Sequence, residues 1–143
     1  MKQIFYRKLK GYKYELVKNY SINVGIKGFD FITKYLEMSA SGLLTIKKGY
    51  AWDGASGPTI DTKSSMRGSL VHDVLYQLIR LKKLPESCRK QADSLLEEIC
   101  LEDGMWRARA FLWERVVRRF AGFCARPGSE KEEKIYCAPG GLI

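Results

Sequence analysis

Hydrophobic and polar positions change rhythm near residue 65. Before it, apolar residues come in short runs: Ile4-Phe5-Tyr6, Tyr14-Glu15-Leu16-Val17, Tyr20-Ser21-Ile22-Asn23-Val24, Phe31-Ile32-Thr33-Lys34-Tyr35-Leu36 and Leu43-Leu44-Thr45-Ile46. These runs are rich in β-branched and aromatic residues, and Gly11, Gly25, Gly28 and the Ser39-Ala40-Ser41-Gly42 cluster punctuate them. Tyr20, Ile22 and Val24 alternate with polar neighbours. The pattern predicts a small antiparallel β meander over residues 1–48, with its many lysines on the solvent face. Residues 49–64 read as a Gly-rich loop, because Gly49, Gly54, Gly57 and Pro58 oppose any regular element. A loop of this length in a small domain is more often functional than accidental.

After the loop the spacing turns helical. Ser64 or Ser65 is placed to cap a first helix, along which Val71, Val74, Leu75, Leu78 and Leu81 make an apolar stripe widened by Leu70 and Ile79. Leu84-Pro85-Glu86 breaks it, with Pro85 suited to the first turn of the next helix. Ala92, Leu95, Leu96, Ile99 and Cys100 give the second helix its apolar face, and Asp103-Gly104 ends it. A third helix is predicted over 105–123, with Trp106, Ala110, Trp113, Val117 and Phe120 on its core face. Five arginines (Arg107, Arg109, Arg115, Arg118 and Arg119) lie largely off that face. The expectation is a single α+β domain over 1–143, β-rich to residue 48 and helical over 65–124, with an irregular tail over 125–143.

Composition narrows this picture. The 143 residues suffice for one domain with a core, and 45% hydrophobic with 29% charged residues is ordinary for a globular protein. No apolar run approaches the roughly 18–20 residues that span a bilayer. The first residues do not resemble a signal peptide, so the chain is expected in the cytoplasm of the cell that makes it, with packaging into a virion left open. A net charge of +9 favours an anionic partner: nucleic acid, phospholipid head groups or an acidic protein. The same charge also serves solubility alone. Cys88, Cys100, Cys124 and Cys137 form no CxxC pair. Cys88 and Cys100, about 18 Å apart on one helix, cannot form a disulfide, and reduced thiols are expected.

The candidate chemistry lies on the first two helices. A short link makes them antiparallel neighbours. His72 stands 11 residues before Lys83 and Asp93 stands 10 after it, so the two sit at nearly one height. An imidazole held by a carboxylate is the usual construction of a general base. Tyr76, one turn after His72, can bond the same carboxylate. Asp73 is rotated by about 100° from His72. It can share a hard cation with Asp53 and carbonyls of the Gly54 loop, and calcium accepts such irregular oxygen sets. The same residues also allow a buried His72–Asp93 hydrogen bond without chemistry, an Asp73 pairing with Arg67, Arg80 or a strand lysine, and a plain turn at Asp53-Gly54.

His72-Asp73-Val74-Leu75-Tyr76 after a Gly-rich loop, with an Asp on the antiparallel helix, resembles the phospholipase A2 superfamily. The His72-to-Asp93 interval is similar to that of its small bacterial and parvoviral members. Ala92-Asp93 and Gly49-Tyr50 resemble the parvoviral version, and the likeness covers roughly residues 49–100. Over most of its length the chain is identified as a member of a phage and prophage family of unknown function. The motifs are Gly49-Tyr50-Ala51-Trp52-Asp53-Gly54-Ala55-Ser56-Gly57-Pro58, Val71-His72-Asp73-Val74-Leu75-Tyr76 and Ala92-Asp93-Ser94-Leu95.

These resemblances imply a phage or prophage origin and residence in a bacterial host cell or a virion. They imply His72 as general base, Asp93 as its orienting carboxylate and Tyr76 as hydrogen-bond support. Asp73 and Asp53 become calcium ligands, with carbonyls offered by Trp52 and Gly54. The implied partners are an anionic phospholipid surface or other phage proteins. The Tyr50–Gly54 segment keeps only the last glycine of the superfamily's Tyr-x-Gly-x-Gly loop, and no apolar ring for bilayer docking is evident. Three functions follow: a calcium-dependent ester hydrolase, a non-enzymatic virion or assembly protein that retains the site as packing, and a nucleic-acid-binding module using the arginines of 107–119.

Overall fold

The short apolar runs of the first fifty residues become strands, but they do not form one meander. The structure is a computed structural model and describes residues 3–10, 14–54, 63–107, 109–110, 136–137 and 141–142. The strands are β1 (Tyr6–Lys8), β2 (Tyr14–Leu16), β3 (Tyr20–Asn23), β4 (Phe31–Ile32), β5 (Leu36–Met38), β6 (Leu43–Ile46) and β7 (Ala51–Trp52). They divide into an antiparallel sheet ordered β1-β2-β7 and another ordered β3-β6-β5-β4. The expected meander survives only as β4-β5-β6. β7 pairs with β2 through Tyr14↔Trp52 and Glu15↔Ala51, and β3 pairs with β6.

Two details correct the sequence reading. The run Phe31 to Leu36 is a tight hairpin, not one strand. The Thr33 hydroxyl donates to the Leu36 carbonyl and accepts from the Leu36 amide, each at 3.0 Å. A side chain that supplies both bonds turns the backbone where the apolar pattern reads straight on. The Gly-rich stretch, in turn, opens with a strand, because Ala51 and Trp52 find a partner more than thirty residues earlier.

Alternation sorts the faces of both sheets. In the four-stranded sheet Tyr20, Leu36, Met38, Leu44 and Ile46 are buried. The register puts Ser21, Thr45, Glu37 and Ile32 on the opposite face, where the Ser21 and Thr45 hydroxyls meet at 3.0 Å. In the other sheet the rings of Tyr6, Tyr14 and Trp52 gather with centroids 5.5–5.9 Å apart.

Residues 54–131 form a compact unit separate from residues 1–53 with 132–143, so the division falls inside the Gly-rich stretch. Its described elements are α1 (Lys63–Arg80), a 3-10 turn (Glu86–Cys88) and α2 (Arg89–Glu102). The α+β class therefore holds. α1 is already formed at Lys63, so Ser64 and Ser65 stand inside its first turn rather than at a cap. Leu70, Val71, Val74, Leu75, Leu78 and Ile79 are buried as the spacing predicts, and each contributes roughly 2 kcal/mol. Leu81 is half exposed instead, because the helix has ended before it. Pro85 stands just before the 3-10 turn in extended conformation, a position consistent with its lack of an N–H.

Both helices end in the same way. The Lys82 amide donates to Ile79 and the Lys83 amide to Leu78; the Gly104 amide donates to Leu101 and the Met105 amide to Cys100. Each is a Schellman closure with its C′ residue at positive φ, 57° at Lys82 and 93° at Gly104. Glycine takes that conformation freely, whereas lysine adopts it at a steric cost. After the second closure, Met105 and Ala110 join Leu96 and Cys100 in a buried cluster.

The helices run antiparallel: Arg67 meets Asp103, Gly68 meets Cys100, and His72 meets Asp93. Gly68 is a point of close approach. A Cβ there would lie 2.8 Å from Cys100 Sγ and 3.2 Å from Leu96 Cδ1. Of the predicted third helix, residues 107, 109 and 110 are helical, and the positions beyond Ala110 lie outside the described residues. Ala110 is buried as expected, but Trp106 is 84% exposed and precedes the helix rather than lying on its core face. In the region predicted irregular, β8 (Tyr136–Cys137) pairs antiparallel with β9 (Gly141–Leu142). Among the described residues no helix is long and apolar enough to cross a membrane.

Candidate active site

The candidate dyad is assembled by helical repeat along α1 and by the packing of α2 against it. His72 and Tyr76 are four residues apart on α1 and therefore share a face, and Asp93 comes from the first turns of α2. His72 Nε2 lies 2.9 Å from Asp93 Oδ1, and the Tyr76 hydroxyl donates to that same oxygen. The two rings stack at a tilt, centroids 4.1 Å apart. His72 is 3% exposed and Asp93 0%, so both groups sit where charge is poorly screened.

The proton positions follow from donor and acceptor chemistry. A carboxylate only accepts, so Nε2 carries the hydrogen directed at Asp93, and Nδ1 of the neutral ring keeps its lone pair. Nδ1 faces Asp73, whose Oδ1 is 3.8 Å away: ion-pair distance, too long for a direct hydrogen bond. Asp73 thus stays near the ring despite its rotation along the helix. Burial by itself lowers the His72 pKa. The carboxylates of Asp73 and Asp93 outweigh it, and the pKa lies above the ordinary 6.5.

The expected cation ligands are divided between the two compact units. Asp73 is partly exposed, Asp53 is exposed, and Gly54 is buried with φ 84°. Trp52 is buried in β7 opposite Tyr14, so its backbone runs in a β ladder rather than a free loop. Trp52 and Asp53 belong to one compact unit, Gly54 and Asp73 to the other. The donors are hard oxygens, the type calcium takes. Among the described residues no group of three or more His, Cys, Asp or Glu side chains is arranged to hold a metal ion.

Two residues that support the dyad escape the sequence reading. Arg67 is buried and grips Asp103 with a two-pronged contact, Nε to Oδ2 at 3.0 Å and Nη2 to Oδ1 at 2.9 Å; Nη2 also reaches Glu102 at 2.7 Å. It fastens the start of α1 to the end of α2. Gly68 lets the helices approach closely enough for His72 to reach Asp93. An isolated glycine inside an apolar helical pattern is the signal that marks it. Cys88 and Cys100 are buried free thiols, as expected. Burial, with Asp103 nearby, pushes Cys100 up to about 12. In comparisons with protein-family models, with curated proteins and with solved structures, none matches the chain.

Proposed function

We propose that the chain is a phage-encoded, phospholipase A2-like ester hydrolase that depends on calcium and activates water through His72. The supporting observation is the orientation of the imidazole, with Nε2 engaged by Asp93 and Nδ1 turned to the partly exposed Asp73. In this reading a water donates one hydrogen bond to Nδ1 and another toward Asp73. Its oxygen attacks the ester carbonyl while its proton passes to Nδ1. Asp93 stabilises the imidazolium that forms, and Tyr76 fixes the carboxylate. The C–O bond to the alcohol then breaks, and the imidazolium returns its proton to the departing oxygen. The products are a carboxylic acid and an alcohol. Calcium, to which Asp73 would offer a carboxylate, would polarise the ester carbonyl.

The test is hydrolysis of phospholipid esters with calcium and with a chelator. Calcium-dependent cleavage is expected, falling by at least about 100-fold in His72→Ala and in Asp93→Ala. Undiminished cleavage in either variant removes the mechanism. Near-complete burial of His72 and Asp93 favours a second reading, a non-enzymatic virion or assembly protein in which the pair only holds α1 to α2. That reading expects no cleavage by the wild type and no calcium binding by calorimetry.

A further inference from the structure

The positive charge of the chain is unevenly placed. Residues 1–53 carry ten Lys or Arg against four Asp or Glu, so six of the nine net positive charges lie there. The four-stranded sheet gathers lysines at one end. Tyr20, Ile46 and Leu36 stand abreast on β3, β6 and β5. Lys18-Asn19 lead into the first of these strands, Lys47-Lys48 leave the second, and Lys34-Tyr35 lead into the third. Hydrogen bonds tie the three turns together. The Lys48 amide donates to Asn19 Oδ1 and the Lys47 amide to the Tyr35 carbonyl, each at 2.8 Å. The Lys47 ammonium donates to the Thr33 carbonyl at 3.4 Å. Lys18, Lys34 and Lys48 are exposed, and Lys47 is partly so.

Residues 17–20, 33–37 and 46–50 hold these four lysines and one acid, Glu37, which lies 3.9 Å from the Lys47 ammonium. The opposite end of the sheet, residues 24–30 and 39–42, holds Lys27 and Asp30, one charge of each sign. Solubility alone is served by charges spread and mixed in sign; a single-sign cluster attracts a polyanion. The rings beside the cluster carry its ammonium groups, Lys18 at 4.3 Å from the Phe5 centroid and Lys34 at 5.2 Å from that of Tyr35. Charge therefore stands in front of the rings, which suits phosphates better than bases that stack. Strand spacing of about 4.8 Å spreads the three turns over roughly 10–15 Å. A nucleic-acid duplex carries one phosphate charge per about 1.7 Å of its axis, so the row meets several phosphates at once. Lysine meets each as a point charge on a flexible stem.

We infer that Lys18, Lys34, Lys47 and Lys48 form a contact surface for the phosphate backbone of a nucleic-acid duplex, held without regard to base sequence. The surface is independent of the hydrolase reading, because His72 and Asp93 belong to the other compact unit.

The full chain is titrated into short labelled DNA duplexes of unrelated sequence, and binding is followed by fluorescence anisotropy across a series of salt concentrations. Binding at low salt is expected, similar for every sequence, with log K falling against log salt at a slope of about −3 to −4. Lys34→Ser and Lys48→Ser should each make that slope shallower by about 1. Lys27→Ser removes the same charge from the opposite end of the sheet and should leave the slope as in wild type. The three substituted side chains are exposed, so circular dichroism should be unchanged in every variant. No binding at low salt, a wild-type slope in both Lys34→Ser and Lys48→Ser, or an equal change in Lys27→Ser overturns the inference. So does binding to phosphatidylglycerol vesicles without binding to duplex, which would assign the lysines to a membrane.

Discussion

Arg67 and His72 stand five residues apart on α1, and each reaches an acidic partner at α2. Arg67 is buried, but its partners are not sealed: the side chains of Glu102 and Asp103 are 48% and 16% exposed. Its charge is permanent and its forked geometry matches a carboxylate. His72 is bound to a carboxylate with no exposure at all, and its charge depends on one proton. The first contact, made by a permanently charged guanidinium, is suited to fastening. The second places a movable proton between two acids, an arrangement that fastening alone does not require.

The largest test of this contrast is to cut each contact. Asp93→Ala leaves His72 and the Tyr76 hydroxyl without their shared acceptor in a dry site, and it should cost about 3–5 kcal/mol. Arg67→Met keeps much of the volume and leaves carboxylates that water can reach, so about 1–2 kcal/mol is expected. Urea unfolding measures both, and equal losses would erase the distinction.

Gly68→Ala tests whether close helix approach is what joins the two contacts. Alanine is the better helix former by about 1 kcal/mol. Yet its methyl would meet the Cys100 sulfur at 2.8 Å, so a net loss of about 1–3 kcal/mol is expected. A stabilised variant would show that the interface yields easily.

The smallest effect is a slope. The folded-state pKa of His72 lies above 6.5, so its stabilising contribution is complete below 6.5 and is lost as pH rises through the folded value. The proposed base needs the neutral ring, so hydrolysis should climb through the same interval. Stability and rate should thus move in opposite directions, and His72→Gln should flatten the stability slope. Parallel curves would disconnect the dyad from catalysis.

Local rules made much of this interface legible in sequence. Helical spacing and one short link placed His72 beside Asp93, and Gly104 marked the end of α2. What escaped depended on contacts distant in sequence. β7 exists only because β2 is available to it, and the Arg67 grip spans more than thirty residues. Elsewhere a single side chain overrode the pattern, as when the Thr33 hydroxyl folded an apolar run into a hairpin. Trp106 misled because its aromatic character suggested the core face, while the closure at Gly104 turned the chain before the next helix began.

The position of Cys100 has a kinetic consequence. Its sulfur is sealed against Gly68 where the two helices meet, and its pKa of about 12 leaves almost no thiolate at neutral pH. A thiol reagent reaches it only in the brief intervals when α1 and α2 part. Labelling at Cys100 therefore acts as a clock on helix separation: when every opening is trapped its rate counts openings, and when closing is faster it reports the open fraction.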